Sequence, residues 1–497
     1  MSPHDRAEED GPETLVSLDP RTGEVVGRHP VHGPDEVAAV VREARSAGEW
    51  WAGLGFAGRA RRLADWRRLL VRRLDELAAL VCAETGKPLD DARLELVMVV
   101  DHLHWAARNA ERVLRRRRVP SGLLMYNHVA SLEYLPLGVV GVIGPWNYPA
   151  FTPMGSIAYA LAAGNAVVFK PSELTPGVGE WLAASFAEVV PEQPVFSVVT
   201  GFGPTGAALC RSDVDKIAFT GSTATGKRVM AACAENLTPV LIECGGKDAL
   251  IVDEDADLDA AAEAALWGAM SNAGQTCVGV ERVYVVEPLA DRFVELLVAR
   301  AAGLRPGGEP GADLGPITMP AQVDVIRRHV CDALDGGARA VVGSRDSVRP
   351  PYVEPVVLVD APEDSPAVAE ETFGPVVVVN RVSDVDEAVR RVNASGYGLG
   401  GAVFSRSRGA ELARRVRAGM VAVNSVLSFV AVPALPFGGV GDSGFGRIHG
   451  EDGLREFARA QAVTRRRFAA VLHPMTFDRG SRTVRRLVRL VRLLHGR

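Results

Sequence analysis

The feature that most restricts the fold of this chain is a recurring short apolar run that is followed each time by a turn and a helical stretch. The first such runs are Leu137–Ile143, Ala166–Lys170, Val195–Val199 and Lys216–Phe219, each four to seven residues long. Short apolar strands that alternate with helices predict βαβ units around a parallel sheet with both faces buried. A second alternation runs over residues 249–424. The sequence therefore predicts an α/β protein with two such sheets.

The segments outside this alternation have different patterns. Residues 36–114 carry apolar side chains at three- and four-residue spacing, which predicts helices with a turn at residues 86–88. His128–Tyr134 alternates like a strand, whereas residues 1–15 are predicted to be a disordered arm. Residues 481–497 predict a basic amphipathic helix, with arginines on one face and an opposite face formed by Val484, Leu487, Val488, Val491 and Leu494.

Length, charge and cysteine content exclude several classes of protein. At 497 residues the chain exceeds the ~250–300 residues at which a single core stops growing, so at least two domains are expected. The net charge of −5 offers no overall basic character for nucleic acid. The six cysteines form neither a Cys-x-x-Cys pair nor a zinc spacing, and free thiols are typical of a reducing cytosol. We therefore expect a cytoplasmic protein that binds no nucleic acid and no metal.

Three residues are candidates for catalysis on local grounds. Cys277, in NAGQTCVGV, has small neighbours that would let a substrate approach a nucleophilic thiolate, although a buried core cysteine is the alternative. Glu243, in LIECGGK, ends an apolar strand, where desolvation can raise its pKa into the range of a general base. Asn147, in PWNYP, could donate to an oxyanion. A surface glutamate and a turn asparagine are the alternatives for the last two.

Three further segments have the pattern of a nucleotide-binding crevice. FTGSTATG, residues 219–226, follows an apolar strand and opens a helix whose N-terminus could hold a pyrophosphate. Lys170 and Glu173, in FKPSELTP, follow a strand end, where ligands bind in open α/β sheets; an exposed loop pair is the alternative. The pattern Gly-x-Gly-x-x-Gly also occurs at residues 201–206, but it contains a proline and we interpret it as a loop.

Seven motifs in a fixed order give this sequence a resemblance to a known family. They are PWNYP, FKPSELTP, FTGST, a strand-end glutamate followed by GGK, GQTC, EETFGPV and PFGGVGDSGFGR. Over about residues 15–470 the chain resembles the aldehyde dehydrogenase superfamily, including the 34-residue step from Glu243 to Cys277. Two details depart from the family, Cys244 after the glutamate and the continuation GGKDALIV, and neither affects a catalytic role.

The resemblance implies a catalytic role for each of the three candidates. Cys277 would be the nucleophile, and Asn147 would hold the oxyanion together with the backbone N–H of Cys277. Glu243 would activate the water that cleaves the thioester. The CoA-acylating relatives lack this glutamate. The resemblance also implies NAD as the cofactor, with NADP as the alternative, and it assigns cofactor contacts to Ile143, Trp146, Lys170, Glu173, Gly203, Gly221, Ser222, Gly226, Glu371 and Phe373.

The substrate is expected to be uncharged and apolar. The helix after PWNYP carries no cation, whereas family members that act on short semialdehyde acids often have an arginine there. Tyr148, Phe151 and Phe437 are candidate walls, and Gly155 would leave room for a longer chain or a ring. Glu173 would accept from a ribose 2′-hydroxyl and repel a 2′-phosphate, which favours NAD. A succinic-type semialdehyde dehydrogenase and a catalytically silent scaffold are the alternatives.

The resemblance also divides the chain and implies an assembly. We expect a homodimer, or next a tetramer, and a tail that contacts the inner face of the membrane or packs on its own protein. The predicted parts are a Rossmann-like cofactor-binding domain (1–118 and 137–243), an α/β catalytic domain (244–447), a small β oligomerisation arm (119–136 and 458–470) and the tail (476–497).

Overall fold

The structure, a computed structural model, describes residues 14–470 and 475–496. Most of the predicted arm over residues 1–15 therefore lies outside the described residues. Thr14 and Leu15 belong to a strand, so the arm prediction is wrong for these two residues. The reason is burial, because the Leu15 side chain is 3% exposed.

Residues 14–136 are mainly helical, and the next hundred residues alternate strand and helix. The first part contains β1 (Thr14–Leu18), β2 (Val25–Pro30), α1 (Pro34–Gly53), α2 (Gly55–Arg72), α3 (Leu74–Thr85), α4 (Leu89–Leu114), β3 (Arg117–Val119) and β4 (His128–Pro136). The second part contains β5 (Val139–Ile143), α5 (Phe151–Ala163), β6 (Ala166–Lys170), α6 (Pro176–Val189), β7 (Phe196–Val198), α7 (Gly203–Arg211), β8 (Lys216–Gly221), α8 (Thr223–Ala234) and β9 (Val240–Cys244).

A second alternation follows, and the chain ends in a long strand and a helix. The alternation contains β10 (Asp248–Val252), α9 (Leu258–Met270), β11 (Val280–Val286), α10 (Glu287–Ala301), α11 (Pro320–Asp335), β12 (Arg339–Val342), β13 (Val348–Arg349), β14 (Tyr352–Val353), β15 (Val356–Val359), α12 (Pro366–Ala369), β16 (Val376–Val382), α13 (Val385–Asn393), β17 (Gly401–Phe404), α14 (Gly409–Arg415) and β18 (Ala422–Val423). The last elements are β19 (Gly444–Phe445), α15 (Gly450–Glu456), β20 (Ala458–Arg466) and α16 (Ser481–His495).

The first large sheet has six strands in the order β19-β9-β8-β5-β6-β7. All neighbours are parallel except β19, which runs antiparallel to β9. The chain leaves β5 toward β6 on one side and later returns to β8 on the other, so the strand order reverses between β5 and β8. Ligands in open α/β sheets bind at the carboxyl ends of strands beside such a reversal.

The second large sheet has seven strands in the order β12-β15-β16-β11-β10-β17-β18 and is parallel except for β12. Successive residues of its central strands belong to different cores: Leu250 and Val252 pack on one face, and Ala249 and Ile251 on the other. Because side chains alternate across a strand, a strand buried on both faces has to be apolar throughout. The α/β prediction with parallel sheets is confirmed.

One detail of the sequence interpretation is wrong. The segment 201–206 is not a loop throughout, since α7 begins at Gly203 with Pro204 in its first turn. Proline has its φ preset for that position and lacks only an N–H that would have no partner there. The strand predicted at His128–Tyr134 is confirmed as β4, and a single helical turn at Leu123–Met125 precedes it.

Residues 114–135 and 459–497 group into a separate compact unit, and residues up to 113 together with 136–458 form the other. The described part of the smaller unit contains a three-stranded sheet in the order β20-β4-β3 and the helix α16. Among the described residues, the structure contains no helix whose length and apolar character would let it cross a membrane.

Candidate active site

Glu243 lies at the buried carboxyl end of β9, and a distant glycine-rich segment fixes this strand end. Gly444 of β19 pairs with Glu243, and its φ of 94° together with a Cβ position only 2.1 Å from the carbonyl oxygen of Ile242 allows no side chain there. The Ser443 hydroxyl donates to the carbonyl of Gly245 at 2.8 Å. The motif PFGGVGDSGFGR therefore holds the glutamate and the turn that follows it.

The carboxylate of Glu243 has the acid–base properties of a general base. Both of its oxygens are buried without a hydrogen-bond partner among the described residues. Burial raises the pKa of Glu243 to about 7, although the neighbouring polar side chains of Thr220 and Cys277 lower this pKa in part. At neutral pH the carboxylate is thus divided between its acidic and basic forms, as proton transfer requires.

The loop before Cys277 is held in an unusual backbone conformation. Asn272 and Ala273 have φ values of 53° and 54°, and Gly274 has 72°. A Cβ on Gly274 would lie 2.1 Å from the backbone of Gly374, so the loop and the segment ETFGPV touch through their main chains. The Gln275 amide donates to the carbonyls of Asn272 (3.0 Å) and Pro316 (3.1 Å) and accepts from the N–H of Thr318 (2.9 Å).

Cys277 is one of two cysteines that are partly rather than fully buried; the other is Cys331. The pKa of the Cys277 thiol lies well above its ordinary value because of burial first and then because of the negative charges of Glu243 and Glu371. The resting thiol is therefore protonated, and a base has to remove its proton before it can act as a nucleophile. Glu243 is the neighbouring group whose pKa is suited to that transfer.

The PWNYP segment lies directly against the cysteine loop. The Asn147 amide donates to the carbonyl of Gln275 at 3.0 Å, and the Tyr148 hydroxyl lies 2.9 Å from the Thr276 hydroxyl. An amide carries two N–H donors, so one of those on Asn147 is left for an oxyanion. The structure thus brings Asn147 next to the loop that carries Cys277.

A buried ion pair that the sequence did not reveal holds the PWNYP segment. The Lys87 ammonium donates to Glu95 at 2.7 Å and to the carbonyl of Asn147 at 2.8 Å. The other Glu95 oxygen accepts from the N–H groups of Ala150 (2.8 Å) and Phe151 (3.0 Å). Helix α4 is thereby tied to both ends of the turn that contains Asn147.

A second buried ion pair holds the segment ETFGPV. The Lys247 ammonium donates to the Glu281 carboxylate and to the Thr372 hydroxyl, at 3.2 Å for the latter. Glu281 in turn accepts from the N–H groups of Thr372 (2.8 Å) and Phe373 (3.0 Å). The GGK lysine is therefore a structural residue of the site.

One signal in the sequence could have revealed the first pair. Glu95 interrupts the buried stripe Ala92, Leu96 and Val99 of α4, where an acidic residue requires a buried partner. The partner could not be identified in the same way, because Lys87 lies in a turn outside the helix.

The predicted adenosine contacts lie at the carboxyl end of β6. Lys170 is 5% exposed, and its ammonium donates to the carbonyl of Pro171 at 3.0 Å and lies 3.7 Å from Glu173. An ammonium has three N–H donors, so Lys170 still has donors for ribose hydroxyls. Lys170 and Glu173 therefore fit the ribose of a dinucleotide. A Cβ on Gly206 would lie 3.7 Å from the Lys170 side chain and 4.0 Å from that of Ile143, which brings the start of α7, with Gly203, to the same place.

The predicted pyrophosphate contacts lie where β8 passes into α8. Ser222 caps α8 by accepting from the N–H of Thr225. Gly221 is the last residue of β8, but Gly226 is buried, and a Cβ there would lie 3.1 Å from the Cys244 sulfur and 3.2 Å from Ile242. The absence of a side chain at Gly226 therefore serves the close packing of α8 on β9.

The predicted nicotinamide contacts also lie together. The rings of Trp146 and Phe373 meet edge to face with centroids 5.5 Å apart. Glu371 accepts from the N–H of Gly246 at 3.1 Å, and burial raises the pKa of Glu371 to about 8.

Two of the three predicted substrate walls surround a buried histidine. Phe151 and Phe437 lie 5.7 Å and 5.6 Å from His449, between ring centroids. The expectation that Gly155 leaves room for substrate is wrong, since a Cβ there would lie 2.6 Å from the His449 ring. Tyr148 instead lies beside Lys87, whose ammonium is 4.3 Å from the centre of the tyrosine ring.

Comparisons with known proteins agree with this arrangement. The sequence model described as "Aldehyde dehydrogenase family" matches residues 7–463. The chain is 38% identical to a 4,4'-diapolycopene aldehyde oxidase of Methylomonas sp, covering 90% of this chain and 84% of the relative. It is 35% identical to a putative succinate-semialdehyde dehydrogenase [NADP(+)] of Mycobacterium ulcerans, covering 91% and 89%. A crystal structure of an NAD-dependent aldehyde dehydrogenase from Sinorhizobium meliloti matches with a TM-score of 0.89 and 32% identity over 93% of both chains.

Proposed function

Because this chain belongs to the aldehyde dehydrogenase family, we propose that it oxidises an uncharged, apolar aldehyde to the carboxylic acid with NAD through a thioester on Cys277. The observation that carries this proposal is the buried carboxyl group of Glu243, which has a pKa of about 7 and lies beside the partly exposed Cys277. A nucleophile next to a general base whose pKa lies near neutrality is the arrangement that acyl transfer to water requires.

In the first step Glu243 takes the proton of the Cys277 thiol, and the thiolate adds to the aldehyde carbon. The free N–H of Asn147 and the backbone N–H of Cys277 then donate to the oxyanion of the thiohemiacetal. Loss of one such donor typically lowers turnover about 10²–10³-fold. When bound, NAD would supply the redox chemistry by accepting the hydride that leaves the thiohemiacetal carbon, so that a thioester remains on Cys277.

Before the second step Glu243 releases the thiol proton to solvent, and the regenerated carboxylate then acts on water. The thioester on Cys277 is cleaved when Glu243 accepts a proton from a water molecule that attacks the acyl carbon. The buried environment that raises the pKa of Glu243 also makes the carboxylate a stronger base than one in water. The second step releases the carboxylic acid and restores the thiol.

The cofactor would be held by residues of the first sheet and of the segment ETFGPV. Lys170 and Glu173 would contact the adenosine ribose, Gly221 and Ser222 the pyrophosphate, and Glu371 and Phe373 the nicotinamide ribose and ring. The Glu173 carboxylate, 47% exposed in its side chain, would repel a 2′-phosphate, which favours NAD over NADP.

An uncharged substrate is supported by the walls of the site. Helix α5 is buried over its whole length and has no cation that would pair with a substrate carboxylate. The relative named 4,4'-diapolycopene aldehyde oxidase is named for an uncharged aldehyde. A succinic-type semialdehyde is the second candidate, favoured by the Mycobacterium ulcerans relative. A silent scaffold is disfavoured because it would not require Cys277, Glu243 and Asn147 together.

The proposal includes the state and place in which the protein acts. We expect a cytoplasmic homodimer, with a tetramer as the next alternative, and peripheral contact with the inner face of the membrane. The dimer is supported by the exposed strand β20 at one edge of the small sheet, because an exposed edge strand can pair with a second chain.

The test is NADH formation by purified protein with NAD and a panel of aliphatic, aromatic and semialdehyde substrates. Wild-type protein should prefer the apolar aldehydes, and Cys277→Ala should abolish turnover. The control Cys331→Ala, at the other cysteine that is only partly buried, should leave turnover unchanged. A preference for succinic semialdehyde would refute the substrate class, and activity in Cys277→Ala would refute the thiol mechanism.

A further inference from the structure

The C-terminal helix α16 separates its side chains by chemistry. Val484, Val488 and Leu494 are 41%, 42% and 54% exposed and lie on one face together with Leu487 and Val491. The other face carries five arginines (Arg482, Arg485, Arg486, Arg489 and Arg492). Among the described residues 475–496, no side chain is buried. An apolar face of this size requires a partner that removes it from water.

The arginine face shows what kind of partner this is. Arg482 and Arg486 are four residues apart, as are Arg485 and Arg489, so like charges are neighbours on the helix and repel each other. No acidic residue occurs between Arg479 and Arg497 to offset them. Packing on its own unit, which has only two acidic residues, would leave these charges unopposed, whereas a surface rich in phosphate neutralises them.

The positive charge extends beyond the helix to the whole of the smaller unit. Residues 114–135 and 459–497 contain fifteen arginines and two acidic residues, in a chain whose net charge is −5. Phe477 and Met475, just before α16, are 103% and 79% exposed. Exposed apolar side chains beside clustered arginines are typical of segments that bind anionic membrane surfaces.

The length of α16 decides between lying on a bilayer and crossing it. Its 15 residues span about 22 Å at the rise of an α-helix, less than the ~30 Å of hydrocarbon in a bilayer. We propose that α16 docks the protein on an anionic bilayer surface, with the Val484–Leu494 face in the acyl boundary and the arginines at the lipid phosphates.

The experiment measures binding of the full-length protein to vesicles by sedimentation. Vesicles of equal parts phosphatidylglycerol and phosphatidylcholine should bind the protein, vesicles of phosphatidylcholine alone should bind it at least about tenfold more weakly, and 0.5 M salt should weaken binding to the anionic vesicles. Arg485→Gln/Arg489→Gln should lower partitioning about thirtyfold. Failure of the anionic vesicles to bind, or equal binding to both kinds, overturns the proposal.

Two adjacent leucines provide a matched pair of variants. Leu494 lies on the apolar face, whereas Leu493 lies among the arginines and is 74% exposed. Leu494→Ser should reduce vesicle binding about tenfold or more, and Leu493→Ser should not. Both variants should keep NADH formation in solution, which separates this proposal from the proposed function. Equal effects of the two variants, or a loss of dimer mass in Leu494→Ser without vesicle binding, would identify a second copy as the partner and overturn the proposal.

Discussion

At the scale of single residues, the burial of Glu243 determines the pH at which the enzyme can work. A base acts only when it is deprotonated, so a pKa of about 7 predicts that turnover rises with pH and levels off above neutrality. At pH 6 the rate limited by this group should be about a tenth of the plateau. A profile that is flat from pH 6 to pH 8 would show that Glu243 is not the base.

The variant Glu243→Gln tests the base in both chemical steps. The glutamine can take a proton neither from the Cys277 thiol nor from water, so formation of the first NADH per active site and steady turnover should both fall. Rapid-mixing absorbance would measure the first turnover, and the mass of the intact protein should show no accumulated acyl group on Cys277. The control Glu254→Gln, at a carboxylate that is 76% exposed, should keep steady turnover.

Two buried histidines predict that the fold weakens in acid. Burial lowers the pKa of His102 to about 4 and holds that of His449 well below its ordinary 6.5. Below pH 6.5 the unfolded chain therefore binds more protons than the folded chain, so stability is present above this pH and is lost as pH falls toward 4. His449→Leu removes one of the two groups and should flatten the fall in Tm between pH 6.5 and 5. An unchanged slope would contradict this account.

At the scale of elements, the two buried Lys–Glu pairs join loops to the rigid parts of the fold. Lys87 and Glu95 hold the turn with Asn147 on α4, and Lys247 and Glu281 hold the segment with Phe373 beside the second sheet. In each pair the glutamate also accepts two backbone N–H groups of the loop. Such fixed hydrogen bonds keep the reacting groups in position without reorganisation during the reaction.

Removing the charge of Glu95 should loosen the turn that carries Asn147. Glu95→Gln leaves the buried Lys87 ammonium without a counter-charge, which typically costs about 3–5 kcal/mol of stability. Turnover should fall as well, because the Asn147 amide is no longer held. Urea denaturation and steady-state rates would measure both effects. Arg93→Ala, at an exposed arginine of the same helix that pairs with Asp75 and Asp90, is the control and should change neither.

At the scale of the whole molecule, the smaller unit predicts how copies associate. It is strongly basic and has the exposed strand β20 at an edge, whereas the rest of the chain is acidic. We expect light scattering to give the mass of two 52.9-kDa chains. Reversing a charge on the strand with Arg466→Glu should shift the mass toward one chain, and Arg479→Glu, beyond the strand, should not. A single-chain mass for the wild type would contradict the dimer.

The sequence by itself determined the elements and the chemical identity of the site. The apolar runs from Leu137 to Phe219 became β5 to β8, because a strand buried on both faces has to be apolar throughout. Cys277, Glu243 and Asn147 were found because their motifs stand in a fixed order along the chain. These signals are local, so a linear pattern is enough to reveal them.

The tertiary structure alone decided how the site is held and shaped. The hydrogen bond from Lys87 to the carbonyl of Asn147, the pairing of Gly444 with a strand two hundred residues earlier, and the His449 ring beside Gly155 all join distant segments. So does the environment that gives Glu243 its raised pKa and keeps the Cys277 thiol protonated. Burial and charge at a point depend on every segment that packs there, and the spacing of residues along one chain does not contain that information.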